Sequence, residues 1–316
     1  MSQFQSLKPH LVTKVWGGEN LKKIREAEAF NGPLGESWEV SCLEEGPCLV
    51  KKEDQWVSLN ELISTEKLPY LVKYIDTTDN LSIQVHPGDE FARLHESSSG
   101  KTECWLILDS QVGSGIYLGL RPGITSAQIE MAIKNKEDLS KLLNFYPVKR
   151  GDFFFVPSGS IHAIGKGVTL AEIQQSSGIT YRVWDWNRLG LDGKERELHI
   201  EKALKVVEFD QSKNSLEYFK SMKKLLSQEG RVELIRHRDF NVDLYNTNNS
   251  TIQIPIAKSQ RLSSIVNLSS KQIFLDDYSL GANNSCLISC EKEAKTIECR
   301  ISSTKATECI SFLHIY

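Results

Sequence analysis

The sequence predicts a mainly β protein, folded as a barrel or sandwich with a few local helices. Three observations predict this. Short runs rich in β-branched and aromatic residues recur along the chain, turns of Gly, Ser and Asp separate them, and helical periodicity is confined to isolated stretches. Many short strands at close spacing favour a sandwich or barrel over a parallel α/β fold. With 316 residues, 40% of them apolar, the chain can bury a large core and exceeds one minimal domain.

Taken in order, residues 61–74 read as a short helix or turn, 80–86 as a strand and 103–108 as a second strand. Residues 125–143 read as a helix. Thr125 and Gln128 have capping-box spacing there, and Ile129, Ala132, Ile133, Leu139, Leu142 and Leu143 fall at helical intervals. Strands are expected at 152–156, 168–174 and 180–186, with Ser176-Ser177-Gly178 as a turn between the last two. A second helix is expected over 197–207, with Leu198, Ala203, Leu204 and Val207 on one face. Beyond residue 220, short strands are expected at 231–245, 251–256, 262–268, 272–275, 286–290, 296–301 and 309–316. This tail concentrates neither His nor Glu. The expected division is therefore residues 1–215, carrying the chemistry and the helical segments, and residues 216–316, a smaller β domain without its own site.

Charge narrows the partners. The net charge is −3, and acids and bases are interspersed with no basic block, so nucleic acid is not an expected partner. No apolar run approaches the roughly 20 residues that cross a bilayer, so no membrane partner is expected. Residues 1–14 show no basic stretch followed by an apolar one, the pattern of an export signal. The seven cysteines (Cys42, Cys48, Cys104, Cys286, Cys290, Cys299, Cys309) are odd in number and form no C-x-x-C pair. They are expected to be free thiols in a reducing cytoplasm, and Cys286 and Cys290 to be structural, since no His flanks them at zinc spacing.

Four stretches carry chemistry. In Gln84-Val85-His86 the first and third side chains share one face of a strand, and Pro87 ends the ladder beside them. Lys101 and Glu103 share a face by the same alternation; alone they read equally as a surface ion pair. Gly151, Pro157, Gly159 and His162 fall in the spacing G-x5-P-x-G-x2-H. There an apolar strand, 153–156, runs into a tight turn, and His162 opens the next strand aimed inward. Downstream, Glu172 shares a face with Gln174, and Arg182 with Thr180 and Trp184. A guanidinium among apolar residues needs an anion, either substrate or a structural carboxylate such as Glu172 or Asp185.

The G-x5-P-x-G-x2-H spacing resembles the second signature of the cupin superfamily, so the β protein is expected to be a cupin-type jelly-roll barrel with a second, smaller cupin-like unit. The first cupin signature is met in part: Q-x-H replaces H-x-H, and the acid follows His86 by 17 residues. Two imidazoles, a carboxylate and an amide oxygen suit a borderline divalent ion such as zinc. The chain also resembles the type I mannose-6-phosphate isomerase family in its short bacterial form. The resemblance is carried by Lys14-Val-Trp16-Gly-Gly18, Gly35-Glu-Ser-Trp38-Glu39, Leu71-Val-Lys73-Tyr74 and Ser82-Ile-Gln84-Val-His86-Pro87. It continues through Gly100-Lys-Thr-Glu103-Cys-Trp105, Pro157-Ser-Gly-Ser-Ile-His162-Ala163 and Thr180-Tyr-Arg182-Val183.

This resemblance implies one zinc ion per chain on His86, Glu103 and His162, with Gln84 as fourth ligand. It implies a catalytic arginine at Arg182, and pocket roles in ring opening, phosphate contact or proton transfer at Lys101 and Glu172. The implied reaction interconverts mannose 6-phosphate and fructose 6-phosphate through an enediol, so the implied partner is a hexose 6-phosphate, acted on by a monomer or weak homodimer. Two other readings stay open on the same residues. One is an Fe(II) cupin oxygenase using the two histidines and the carboxylate; the other is a non-catalytic sugar-phosphate-binding cupin.

Overall fold

Among the described residues strands dominate and assemble into four sheets of eight, six, five and four strands. The computed structural model describes residues 3–63, 68–248, 251–257, 262–290, 295–301 and 310–316. Cys309 lies outside the described residues, as does part of the stretch 61–74, whose described parts hold a short helix, Leu59–Leu62, and the strand Tyr70–Asp76. No helix among the described residues is long and apolar enough to cross a membrane.

The chain forms two compact units that interleave in sequence. One comprises residues 11–37 and 74–223; the other comprises 1–10, 38–73 and 224–316. The composition change near residue 215 thus lies close to one of four crossings, the one after Lys223. The remaining three carry no marker that composition reveals.

The unit of residues 11–37 and 74–223 contains a five-stranded sheet in the order Leu143–Pro147, Gly115–Leu120, His162–Ile164, Ile83–Val85, Tyr181–Trp184. A second sheet runs, within this unit, in the order Phe153–Val156, Glu103–Ser110, Val168–Gln175, 74–76, 34–37, 11–18. Trp105, Ile107, Phe154, Val168 and Leu170 from the second pack with Ile116, Leu118 and Ile164 from the first to fill the interior. Glu103–Leu108 reads as a nearly continuous apolar run because both faces of that strand are buried.

Helices cover the outside of the five-stranded sheet. Ile129 and Ala132 of Ser126–Lys134, and Ala203 of Ile200–Val206, pack against Ile83, Val85, Ala163, Tyr181 and Val183. The Thr125–Gln128 capping box forms as its spacing suggests. The helix nevertheless stops at Lys134 rather than reaching Leu143. Asn135 caps it, Lys136 takes a left-handed φ of 54°, and Asp138 then caps a separate turn, Leu139–Leu142. Apolar periodicity runs through this break because both pieces cover the same surface.

In the other unit, an eight-stranded sheet runs in the order Gly230–Arg236, Asn241–Thr247, Ile310–Ile315, Leu262–Asn267, Ser285–Ser289, Phe4–Lys8, Leu49–Lys52, Gln55–Ser58. A four-stranded sheet, Ile252–Ile256, Lys295–Ile301, Ile273–Leu275, Tyr278–Leu280, shares its core through Ile254, Ile273, Leu275 and Ile297. Residues 231–245, read as one strand, form a hairpin closed by a His237 N–H to Phe240 carbonyl bond.

Candidate metal and catalytic site

Alternation along three adjacent strands builds the first half of the site. Register pairs His162 with Gln84, and Gln84 with Arg182. Residues directly opposite one another point to the same side of a sheet, so these three side chains form one row. Their flanking residues Ile83, Val85, Ala163, Tyr181 and Val183 are claimed by the helices on the outer face. A slip of one residue would exchange the two sets, which is why apolar burial outside orients the polar row inside.

Glu103 comes from the six-stranded sheet, where it lies between Val156 and Gln174 and shares a face with Trp105 and Ile107. His86 follows the strand Ile83–Val85, and its carbonyl accepts the Gly159 N–H at 2.8 Å. Gly159 holds φ at +86°, a left-handed conformation that a side chain would strain. The Pro157–Gly159 turn thus fastens the backbone of one histidine while leading into the other.

His86, Glu103 and His162 are all buried, and one donor atom from each lies within 4.8 Å of the others. His86 Nε2 is 3.2 Å from one Glu103 oxygen, and His162 Nε2 is 3.8 Å from the second. Despite this proximity His86 Nε2 and both Glu103 oxygens are buried and make no well-aligned hydrogen bond. Buried polar atoms normally find well-aligned partners, and donor atoms that converge without such alignment suit a shared point between them. The other ring nitrogens are occupied: His86 Nδ1 lies 2.9 Å from the Ile179 carbonyl and His162 Nδ1 2.9 Å from the Ser160 carbonyl. Nδ1 must then carry the proton, leaving an Nε2 lone pair on each ring for a metal. Gln84 Nε2 donates to His162 Nε2 at 3.3 Å; half a turn of the amide would present its oxygen there instead.

Electrostatics agree with this donor set. Burial, aided by the Lys101 ammonium, pushes the His86 imidazole down to about 3, and burial also lowers His162, so both rings are neutral. Burial alone would raise the Glu103 carboxyl, yet the Lys101 ammonium beside it holds it well below the usual carboxylate range. The Lys101 ammonium lies 3.3 Å from Glu103. Chemically, this is a site with two neutral nitrogens and one anionic oxygen, the donors that zinc and similar divalent ions favour.

No family model matches the chain. Over 220 residues it is 36% identical to the mannose-6-phosphate isomerase of Streptococcus mutans serotype c, covering 66% of this chain and 69% of that protein. The chain belongs to the mannose-6-phosphate isomerase family. It is also 37% identical over 216 residues to the mannose-6-phosphate isomerase ManA of Bacillus subtilis, covering 64% of this chain and 67% of that one. The crystal structure of a Bacillus subtilis mannose 6-phosphate isomerase superposes over 100% of both chains with a TM-score of 0.80 at 25% identity. The fold is accordingly the mainly β cupin fold of the mannose-6-phosphate isomerase family.

Within this isomerase fold, the remaining sequence-derived residues fall as follows. Arg182 joins the row, donates from Nη1 to the Glu197 carbonyl at 2.8 Å, and keeps a buried Nε without a partner. Asp185, one structural partner considered for it, is engaged by Arg188 and by Arg196, at 2.9 and 2.6 Å. Glu172 is buried and accepts from Trp105 Nε1 at 3.1 Å. Trp105 itself was not singled out from sequence. It orients Glu172 and sets its ring edge-on to His162, with centroids 5.2 Å apart. The i, i+2 spacing from Glu103 is the signal that could have found it.

Proposed function

We propose that this chain interconverts mannose 6-phosphate and fructose 6-phosphate, with one zinc ion per chain held by His86, Glu103, His162 and the Gln84 amide oxygen. The observation that carries the reading is the buried convergence of donor atoms from His86, Glu103 and His162, with His162 in a row with Gln84 and Arg182, inside the fold of this isomerase family. When bound, a divalent metal supplies Lewis-acid stabilisation of negative charge on substrate oxygens. Zinc is the choice here because the exchange involves no redox step and the donors are nitrogen and oxygen.

The reaction moves one proton between C1 and C2, and its obstacle is the weak acidity of a C–H beside a carbonyl. Arg182 supplies a fixed positive charge for the enediolate oxygens, an effect of about 10²–10³-fold for a single well-aimed donor. Glu172, fastened by Trp105, is the candidate acid–base group that carries the proton, and such transfer contributes roughly 10²–10⁴-fold. Lys101 offers its ammonium to the phosphate or to a sugar hydroxyl. The reading assigns this chemistry to the unit of residues 11–37 and 74–223 and none to the other. It takes the enzyme as a monomer or weak homodimer in a reducing cytoplasm, in keeping with six free thiols among the described residues.

The test is a coupled assay of mannose 6-phosphate turnover on protein stripped by a chelator and then reloaded. Activity should vanish with the metal and return with zinc. Full turnover by metal-free protein would refute the metal assignment. Oxygen uptake would favour an Fe(II) oxygenase, and ligand binding without turnover a sugar-phosphate-binding cupin.

A further inference from the structure

Tyr181–Trp184 is the outermost strand of its five-stranded sheet, so Arg182 has a sheet neighbour, Gln84, on one side only. The register also slips between Arg182 and Trp184, a local irregularity at the very residue whose aim matters most. Edge backbone groups need other partners, and here residues 197–199 provide them. The His199 N–H donates to the Arg182 carbonyl at 2.7 Å, and the Arg182 N–H donates to His199 Nδ1 at 3.2 Å. The Glu197 carbonyl then takes the arginine's Nη1 at 2.8 Å. This explains why the expected helix over 197–207 begins only at Ile200: its first three residues run along Arg182 instead.

We propose that His199 is a positioning residue for Arg182, its Nδ1 replacing the missing strand partner so that the guanidinium stays aimed along the row with Gln84 and His162. The inference rests on the catalytic reading of Arg182 given above. An imidazole can play this part only with its Nδ1 lone pair free and the proton on Nε2. The clamp is itself anchored. His199 caps the helix Ile200–Val206, accepting from the Ala203 N–H at 2.9 Å. Lys202 of that helix and the Tyr181 hydroxyl both reach one Glu96 oxygen at 2.7 Å. Arg182, its neighbour Tyr181 and the helix start are thereby joined as one body. A side-chain nitrogen in place of a backbone carbonyl also makes this contact removable by substitution, which an ordinary strand partner would not be.

The experiment compares H199N, H199Q and H199L. The Asn amide oxygen sits about where Nδ1 does, the Gln oxygen lies one bond too far, and Leu has no acceptor. Asn is also a good N-cap, so a stability loss does not confound it. H199N should keep kcat within about threefold of wild type. H199Q and H199L should lose at least about tenfold in kcat, as misplacement of a catalytic group does, with KM and zinc stoichiometry nearly unchanged. Adding H199L to R182A should cost nothing further. Wild-type kcat in both H199Q and H199L, or an equal loss in H199N, overturns the proposal, as does a further loss in the double variant. If R182A alone keeps full activity, the catalytic reading of Arg182 fails instead, so the two failures are told apart.

Discussion

Glu103 must stay ionised although it is wholly buried, and only its neighbours make that tolerable. The Lys101 ammonium, 3.3 Å away, balances the negative charge. Removing the charge with Glu103→Gln should weaken zinc at least about tenfold in competition with a chelator, since an anionic oxygen becomes a neutral amide. Arg182→Ala should behave oppositely, lowering kcat by about 10²–10³-fold while bound metal stays near stoichiometric. Trp105→Phe keeps the ring beside His162 but deletes the N–H that Glu172 accepts. A buried acceptor losing its donor costs about 1–3 kcal/mol, which a urea titration would register along with reduced kcat.

Among the elements, the turn between Phe153–Val156 and His162–Ile164 does more than reverse the chain. Gly159 donates to the His86 carbonyl and accepts the Glu208 N–H at 2.9 Å, so one residue ties together His86 and the segment after the helix Ile200–Val206. Its φ is positive, and an added Cβ would meet the Val206 carbonyl at 3.1 Å. Gly159→Ala should therefore cost about 1–2 kcal/mol in left-handed strain alone. A denaturant midpoint measures that loss, and a fall in zinc occupancy would show that the turn also sets His86. The helices matter at this scale for a simple reason. By covering Val85, Ala163 and Val183 they fix which face of each strand is inside.

For the whole molecule, the second unit contributes its own pH dependence through His314. This residue lies in the strand Ile310–Ile315, paired with Asp243 and Ile265, fully buried and with neither ring nitrogen hydrogen-bonded. Burial pushes it down to about 4 from an ordinary 6.5. In the folded chain it is neutral where the unfolded chain would bind a proton. Stability is thus complete above pH about 6.5 and is lost as pH falls toward 4, by about 3 kcal/mol from this group. Urea midpoints of His314→Leu across pH 7 to 4 should fall less steeply than those of the wild type. Equal slopes would show that another group sets the acid limit.

Sequence alone determined the β class, the capping box and the family, because these are local: alternation, turn chemistry and motif spacing need no distant partner. Gln84, His86, Glu103, His162 and Arg182 were legible as candidates for that reason, and the fold brings His86, Glu103 and His162 together. Tertiary structure decided the rest. The interleaving of the two units, the service of residues 197–199 as a strand partner, and the bond between Trp105 and Glu172 all join positions far apart in the chain. Which distant segment satisfies a given edge or buried polar atom depends on packing of the whole, and local pattern holds no record of it.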